Sequence, residues 1–576
     1  MRVGAIGYTG ADVRPRRLYR SLCPASEGHT TISEKPSIAR STAMMSTLTL
    51  VSRVTGLLRA WAMAIALGTS VLGAAYSVCN NIPNMIFEFV AGGIIASLFI
   101  PTFMELREQK SEEEAWRFTS HIFNLAVLSL AVIGIVGTLF PGPFVWTQTF
   151  RLPPDKAAIV VPVATYLFRF FALQVVLYGA GAIISALLNS QRSYFWPAVG
   201  PIFNNVVAIA AMLGFAALHG QLAGAGMTSG LAPVVLAAGT TLAVVVMFAV
   251  QVPAVLKTGW RWSWGLGLHD PAIRRLLRLA VPTVIYVATN LIAVSFRNAS
   301  AFAATPDSSG PAILTYAWMF YQLPYGILAV ALATAVFTEL ADAAGRQDTE
   351  DFRSIFSRGL RATGVLILPT SAMLVALATP LMRLFRFGAF TAADIPLVAG
   401  ALRWWAAGLV FYAVTMFLLR TFYSLKDTRT PMIVNLVLTF AVQIVLYWVL
   451  STGVGGWHGI GIDGIPIADS IFYLCISVVL AVLLRRRIGG YDARGVTLTY
   501  VRMALASAIG ALFAWGLAAL IAGTVAGIPG ALLQIGVGGF VGLAVAFGLG
   551  RLFGVTEVSY ATQLIGRAMR RTRARS

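Results

Sequence analysis

Stretches of about twenty apolar residues alternate with short polar connections along almost the whole chain. A hydrocarbon layer about 30 Å thick is crossed by an α-helix of about 20 residues, so each stretch predicts a membrane-spanning helix. Fourteen such stretches are present, centred near residues 57, 90, 130, 172, 206, 239, 290, 326, 368, 410, 440, 475, 510 and 540. None shows the strict apolar/polar alternation of a half-buried strand. The expected architecture is an all-α polytopic membrane protein.

Polar positions between the stretches orient them. Arg107, Lys110 and Arg117 follow the second stretch, and Arg192 follows the fourth. Lys257, Arg261, Arg274, Arg275 and Arg278 follow the sixth. The same parity continues with Arg346, Arg353 and Arg358, with Lys426 and Arg429, and with Arg485, Arg486, Arg487 and Arg494. The intervening loops hold only Arg151, Lys156, Arg383 and Arg386. Basic residues are retained on the cytoplasmic side, so both termini are expected in the cytoplasm.

A weak repeat runs at a separation of about 235 residues. Gln109–Phe118 resembles Arg346–Ile355, and Leu188–Pro197 resembles Tyr423–Pro431, each pair ending in a cytoplasmic turn or an amphipathic stretch. Six spans per unit insert both copies in the same orientation, which puts their pseudo-twofold axis along the membrane normal, as in transporters with two parallel halves around a midplane site. The expected division is a tail at 1–43, an N-lobe at 44–256, a C-lobe at 257–488, two further helices at 489–555 and a basic tail at 556–576. The first segment is polar and basic, without an apolar face to offset ordering entropy, so it is expected to be a disordered cytoplasmic tail. Its Gly4-Ala-Ile-Gly7-Tyr-Thr-Gly10 lacks the helix, second strand and acidic residue of a dinucleotide fingerprint.

Composition agrees with this pattern. Hydrophobic residues make up 58% of the 576 and charged residues 11%, against about 25% charged in soluble domains. The net charge of +20 sits in alternate loops, which argues for topology and against nucleic acid. Cys23, Cys79 and Cys475, and the five histidines, have no metal-ligand spacing, so no metal or cofactor is expected. The loops hold no paired carboxylates of an enzyme.

Charges inside the apolar stretches carry the functional information. Arg53 and Arg59 lie within the first, where a charge at the bilayer centre costs roughly 2.5–3.5 kcal/mol on insertion scales. Six residues correspond to about 600° of helix rotation, so the two need not grip one group. Fixed positive charge in a cavity suits an anionic cargo. Arg297 lies in the seventh stretch, the repeat partner of the first, and is expected to face Arg53 and Arg59 across the pseudo-axis. Glu88 is expected to pair with one of them or to serve a coupling ion. Asn84 is candidate polar lining; Arg169 and Asp469 are single intramembrane charges with no assignable partner.

Ser52-Arg53-Val-Thr-Gly56-Leu-Leu-Arg59, Ile82-Pro83-Asn84, Phe99-Ile-Pro101, Leu384-Phe385-Arg-Phe-Gly388-Ala-Phe390-Thr391 and Phe422–Pro431 occur in this order. The series resembles the MurJ/MviN family of the multidrug/oligosaccharidyl-lipid/polysaccharide exporter superfamily, over roughly residues 45–555. The resemblance implies flipping of lipid II, the undecaprenyl-diphosphate-linked muropeptide of peptidoglycan and cell-wall biogenesis, by alternating access. It also implies a lipid tail lying beside the last two spans, with membrane lipids and cell-wall synthesis proteins as partners. Two departures stand out. Ala60 replaces the family's aspartate, and Tyr316-Ala317-Trp318-Met319 replaces its Tyr-Ala-Asp-Arg. Other expectations compatible with the sequence are export of another polyprenyl-linked glycan or a drug, or a non-transporting cell-wall scaffold.

Overall fold

The computed structural model describes residues 38–89, 99–219 and 228–558. Residues 1–37, 90–98 and 220–227 and the basic tail from residue 559 onward lie outside these.

Helices account for nearly all of it. In order they are α1 (Ile38–Leu67), α2 (Val71–Phe87), α3 (Ile100–Gln109), α4 (Glu112–Leu139), α5 (Pro141–Thr149), α6 (Pro154–Phe171), α7 (Gln174–Ser190), α8 (Phe195–His219), α9 (Leu231–Ala249) and α10 (Val252–Leu256). The C-terminal half contributes α11 (Pro271–Ala304), α12 (Gly310–Pro324), α13 (Val330–Gly345), α14 (Thr349–Arg383), α15 (Asp394–Ser424), α16 (Arg429–Leu438), α17 (Ile444–Thr452), α18 (Gly464–Ile488), α19 (Ala493–Thr524), α20 (Gly527–Leu533) and α21 (Gly539–Leu552). α1 begins at Ile38, six residues before the boundary expected at 44.

Among the described residues, eleven helices are long and apolar enough to cross a membrane, or twelve if α6 and α7, bent by 41° at their junction, form one span. The chain is therefore a multi-pass membrane protein. The expected count of fourteen is larger by two stretches, the second and the seventh. The second stretch is divided between α2 and α3 on either side of residues outside the description, and the seventh corresponds to the 34-residue α11.

Local sequence sets the helix ends. Ser111 Oγ accepts the Glu114 N–H at 3.1 Å at the start of α4, whose first turn holds Glu112, Glu113 and Glu114; both features satisfy and balance the positive end of a helix. Ser70 does the same for α2 through Gly73 N at 3.1 Å. Pro197 and Pro431 sit in the first turns of α8 and α16, where a missing N–H costs nothing. After Pro324 the chain widens into a π-turn at Tyr325–Ala329 before α13 resumes, a distortion that often marks functional segments.

Packing relies on small residues, as expected where lipid leaves helices no hydrophobic reason to associate. α19 lies against α14 and α21. A Cβ on Gly542 would fall 2.5 Å from Met373 Sδ, and one on Gly510 would fall 2.4 Å from Gly542 O. One continuous buried core joins α1, α2, α6 and α9 to α12, α14 and α15, with Tyr316, Tyr321 and Trp405 among its largest members.

Candidate functional site

Three neighbouring cavities run along the junction of α1, α2, α8, α11 and α12. The first, about 660 Å³, is lined by Arg53 and Arg59 of α1, Asn204 and Asn205 of α8, and Trp318 and Gln322 of α12. The second, about 410 Å³, shares Arg59, Trp318 and Gln322 and adds Asn80, Asn81, Arg297 and Asn298. The third, about 350 Å³, shares Arg297 and Trp318 and adds Glu88, Asn290, Asn435 and Asp469.

α1 positions its two arginines by packing on α8. Asn205 Nδ2 donates to Thr55 Oγ1 at 3.0 Å and to Ser52 O at 3.3 Å, which fixes the rotation of the turn between Arg53 and Arg59. Arg53 is exposed and leans on bare backbone of the other half of the chain: a Cβ on Gly326 would come 2.9 Å from its Nη2. Arg59 faces both the first and second cavities.

Arg297 reaches the second cavity from α11, so this structure brings Arg59 and Arg297 to one space. Its guanidinium carbon lies 5.7 Å from the centroid of the Trp318 ring, within range of a cation–π attraction. Its Nε is buried and has no hydrogen-bond partner among the described residues. A buried donor left unmade costs about 1–3 kcal/mol or more when charged, which leaves this atom available to an acceptor entering the cavity.

Glu88 is placed differently from its expected pairing. No ion pair joins it to Arg53 or Arg59 among the described residues; it accepts from Asn84 Nδ2 at 3.0 Å, one turn away, and lines the third cavity with Arg297. Asn84 is not among the lining residues of the three cavities. The four-residue spacing within α2 favours this local bond. Arg169 lies exposed on α6. Asp469, which the sequence left without partners, is 3% exposed and accepts from Trp405 Nε1 at 2.9 Å, Gln443 Nε2 at 3.0 Å and Tyr447 OH. Its partners lie 22 to 64 residues away along the chain, beyond any local spacing rule.

Bonds between the N-terminal and C-terminal halves gather at the end where α1 meets α2. Arg151 Nη1 donates to Ser300 Oγ at 2.6 Å, Nη2 to Thr452 Oγ1 at 2.7 Å, and its guanidinium lies 3.8 Å from the Trp448 ring centroid. Burial pushes its pKa down to about 10. Lys156 Nζ donates to Thr305 O at 2.8 Å, Gln148 Nε2 to Ser295 Oγ at 2.8 Å, and Asn298 Nδ2 to Gln148 Oε1 at 2.9 Å. Tyr316 OH donates to Gly68 O at 3.1 Å, and Ala389 N to Ile65 O at 2.8 Å. Sequence analysis named Arg151 only as a loop charge and did not single out Gln148, because the partners of both come from the other half of the chain.

A family description, lipid II flippase MurJ, matches residues 63–538. The chain belongs to this MurJ family. The family match begins just past Arg59, so the arginine motif of α1 precedes it. A probable lipid II flippase MurJ of Rhizobium meliloti is 31% identical over 402 residues, covering 69% of this chain and 72% of the relative. The lipid II flippase MurJ of Burkholderia cenocepacia is 28% identical over 448 residues, covering 77% and 83%. Among solved structures, a lipid II flippase MurJ in an inward closed conformation superposes with a TM-score of 0.69 at 20% identity, over 89% of this chain and 98% of that one. An inward-facing multidrug resistance MATE family transporter of the MOP superfamily follows the same fold, with a TM-score of 0.57 at 16% identity over 77% of this chain and 94% of that one. At these identities the superpositions speak for the fold alone.

Proposed function

We propose that this MurJ family member carries lipid II, an undecaprenyl-diphosphate-linked muropeptide, from the cytoplasmic to the outer leaflet of the bacterial plasma membrane by alternating access. The observation that carries the reading is the pairing of Arg59 with Arg297 in one cavity, the latter with a buried, unpartnered Nε. Guanidinium groups bind phosphate oxygens through charge-assisted, often bidentate hydrogen bonds. A diphosphate entering past Arg53 would meet Arg59 first and Arg297 next. The names borne by the relatives supply the identity of the cargo.

In this reading α2 with α3 and α11 complete fourteen spans, with two six-span lobes and α19 to α21 appended. Both termini face the cytoplasm. Inter-lobe bonds around Arg151 and Tyr316 hold the external end together, while the first cavity extends along α1 to Thr49 on the cytoplasmic side. Cysteine at Gly456 should then react with an impermeant reagent in intact cells, and cysteine at Ser111 should not.

The deciding experiment places this chain as the sole candidate flippase in cells depleted of their own. Externally accessible lipid II and growth should both be restored. A membrane-inserted chain at normal abundance that leaves lipid II on the inner leaflet sinks the proposal and favours a scaffold.

A further inference from the structure

The two halves of the chain are joined by residues 258–270, which carry the run Trp260-Arg-Trp-Ser-Trp264 and form neither helix nor strand. α4 holds them in place. Trp260 Nε1 donates to Ser120 Oγ at 3.0 Å and Trp262 Nε1 to Asn124 Oδ1 at 2.8 Å. Asn124 Nδ2 returns bonds to Ser263 O at 2.9 Å and Gly265 O at 3.0 Å. Gly265 and Gly267 let the backbone close over His121, where a Cβ would fall 2.8 and 2.5 Å from the imidazole. The connection is thus a strap, fixed in depth by one helix.

That depth is the membrane surface. The charged residues of α4 end at Arg117, and its outward side chains from Leu128 to Leu139 are exposed and apolar. From Ser120 to Leu139 the helix rises about 28 Å, close to the hydrocarbon thickness of about 30 Å. Ser120 and Asn124 therefore mark one edge of the hydrocarbon, and the strap bonded to them lies at headgroup level. Outward it presents what that layer takes up. Trp264 is 82% and Trp262 47% exposed, with ring centroids 4.6 Å apart. Lys257 and Arg261 are exposed as well. Glu112 and Glu114, which share a cavity with Arg261, already pair with Arg107, Lys110 and Arg117. Indole rings settle at the headgroup level, and basic side chains beside a membrane attract anionic lipid.

We infer that this strap is a binding site for anionic phospholipid headgroups. Trp262 and Trp264 enter the interface, and Lys257 and Arg261 hold the phosphates. By the orientation proposed above, the leaflet is the cytoplasmic one. The inference is independent of the cargo. α11, which carries Arg297, starts directly after the strap at Pro271, so the leaflet sets the height from which that helix enters the membrane.

A depth measurement by electron paramagnetic resonance on the full chain in vesicles tests this. A nitroxide at Leu268→Cys, with Cys23, Cys79 and Cys475 replaced by alanine, leaves both tryptophans intact; Leu268 is itself exposed on the strap. Collision rates with oxygen and with a water-soluble nickel chelate report its depth, and labels at Ser111 and Leu128 give the water and hydrocarbon references. In vesicles of phosphatidylcholine with phosphatidylglycerol, the oxygen-to-nickel ratio at 268 should lie several-fold above that at 111 and below that at 128. Trp264→Ser should lower it at least twofold. Lys257→Glu with Arg261→Glu should lower it to the value found in phosphatidylcholine alone. A parent ratio equal to that at 111, a ratio unmoved by Trp264→Ser, or low collision with both reagents, as under a covering protein segment, overturns the site. A ratio equal in the two kinds of vesicle and unmoved by charge reversal overturns the anionic headgroup as its occupant.

Discussion

The Arg151 guanidinium lies 3.8 Å from the Trp448 ring centroid and donates to Ser300 and Thr452 on either side of it. One side chain from the α5–α6 connection thus fastens two helices of the opposite half. Hydrogen bonds involving a charged group contribute about 1.5–3 kcal/mol each, and the cation–π contact adds about 0.5–2 kcal/mol. Arg151→Ala should therefore shift the population toward a state open at this end. Distances between spin labels at Gly142 and Gly455 should lengthen or broaden. Arg151→Lys, which keeps the charge but loses the planar fork, should fall between the two. A distance distribution in Arg151→Ala matching the parent would remove the clasp from the mechanism.

Arg59→Ala and Arg297→Ala should each reduce lipid II translocation by tenfold or more while membrane abundance stays normal, as expected on losing about 1.4 kcal/mol or more of binding. The lysine variants should retain partial activity. Arg53 is exposed and leans on Gly326, so Arg53→Ala should cost less than either. Abundance and translocation have to be measured together. Wild-type translocation in Arg59→Ala would sink the anion-binding role of that residue.

Gly388 has φ +59°, and a Cβ there would sit 2.3 Å from Ile65 O. Left-handed backbone costs other residues about 1–2 kcal/mol, and this clash is with backbone that cannot swing away. Gly388→Ala should lower the melting temperature in detergent and disturb the Ala389 N to Ile65 O bond at the end of α1. A variant as stable as the parent would show that the loop repacks freely.

Burial alone would raise the pKa of Asp427 in the α15–α16 turn. Bonds from the Thr430 N–H at 3.0 Å and Oγ–H at 2.7 Å, with the Arg487 guanidinium, outweigh it and hold the carboxyl below its ordinary value. A depressed carboxylate stabilises the fold fully above the unfolded value of about 3.9 and loses that contribution as pH falls through the folded value. Asp427→Asn should therefore lower the melting temperature at pH 7. The gap between variant and parent should narrow as pH drops below about 4. A pH-independent gap would assign the effect to packing.

Much of the fold was legible because lipid imposes one rule, an apolar stretch long enough to span, and α4, α9 and α18 obey it plainly. Legibility failed where the rule is bent. One stretch, centred near 172, proves to be two helices, α6 and α7, joined across a 41° bend. Arg53, Arg59 and Arg297 stood out because charge inside an apolar stretch is costly. Glu88 was expected to pair with Arg53 or Arg59 or to serve a coupling ion; its bond in the structure is to Asn84, one turn away. The contacts of Arg151 and Gln148 and the partners of Asp469 were not legible. Their importance comes from residues at least about 150 positions away, or from helices brought together only by the fold.

Trp318 lines all three cavities at once, so it stands like a door in a corridor of three rooms. The rooms hold about 660, 410 and 350 Å³, and one indole is a wall common to all three. Rotation of that ring would merge neighbouring rooms, and because Arg297 leans on the same ring, the door has a cationic handle. In the proposed flippase a single side chain would thus stand between the rooms that cargo has to cross, at the position where the family's usual aspartate is missing.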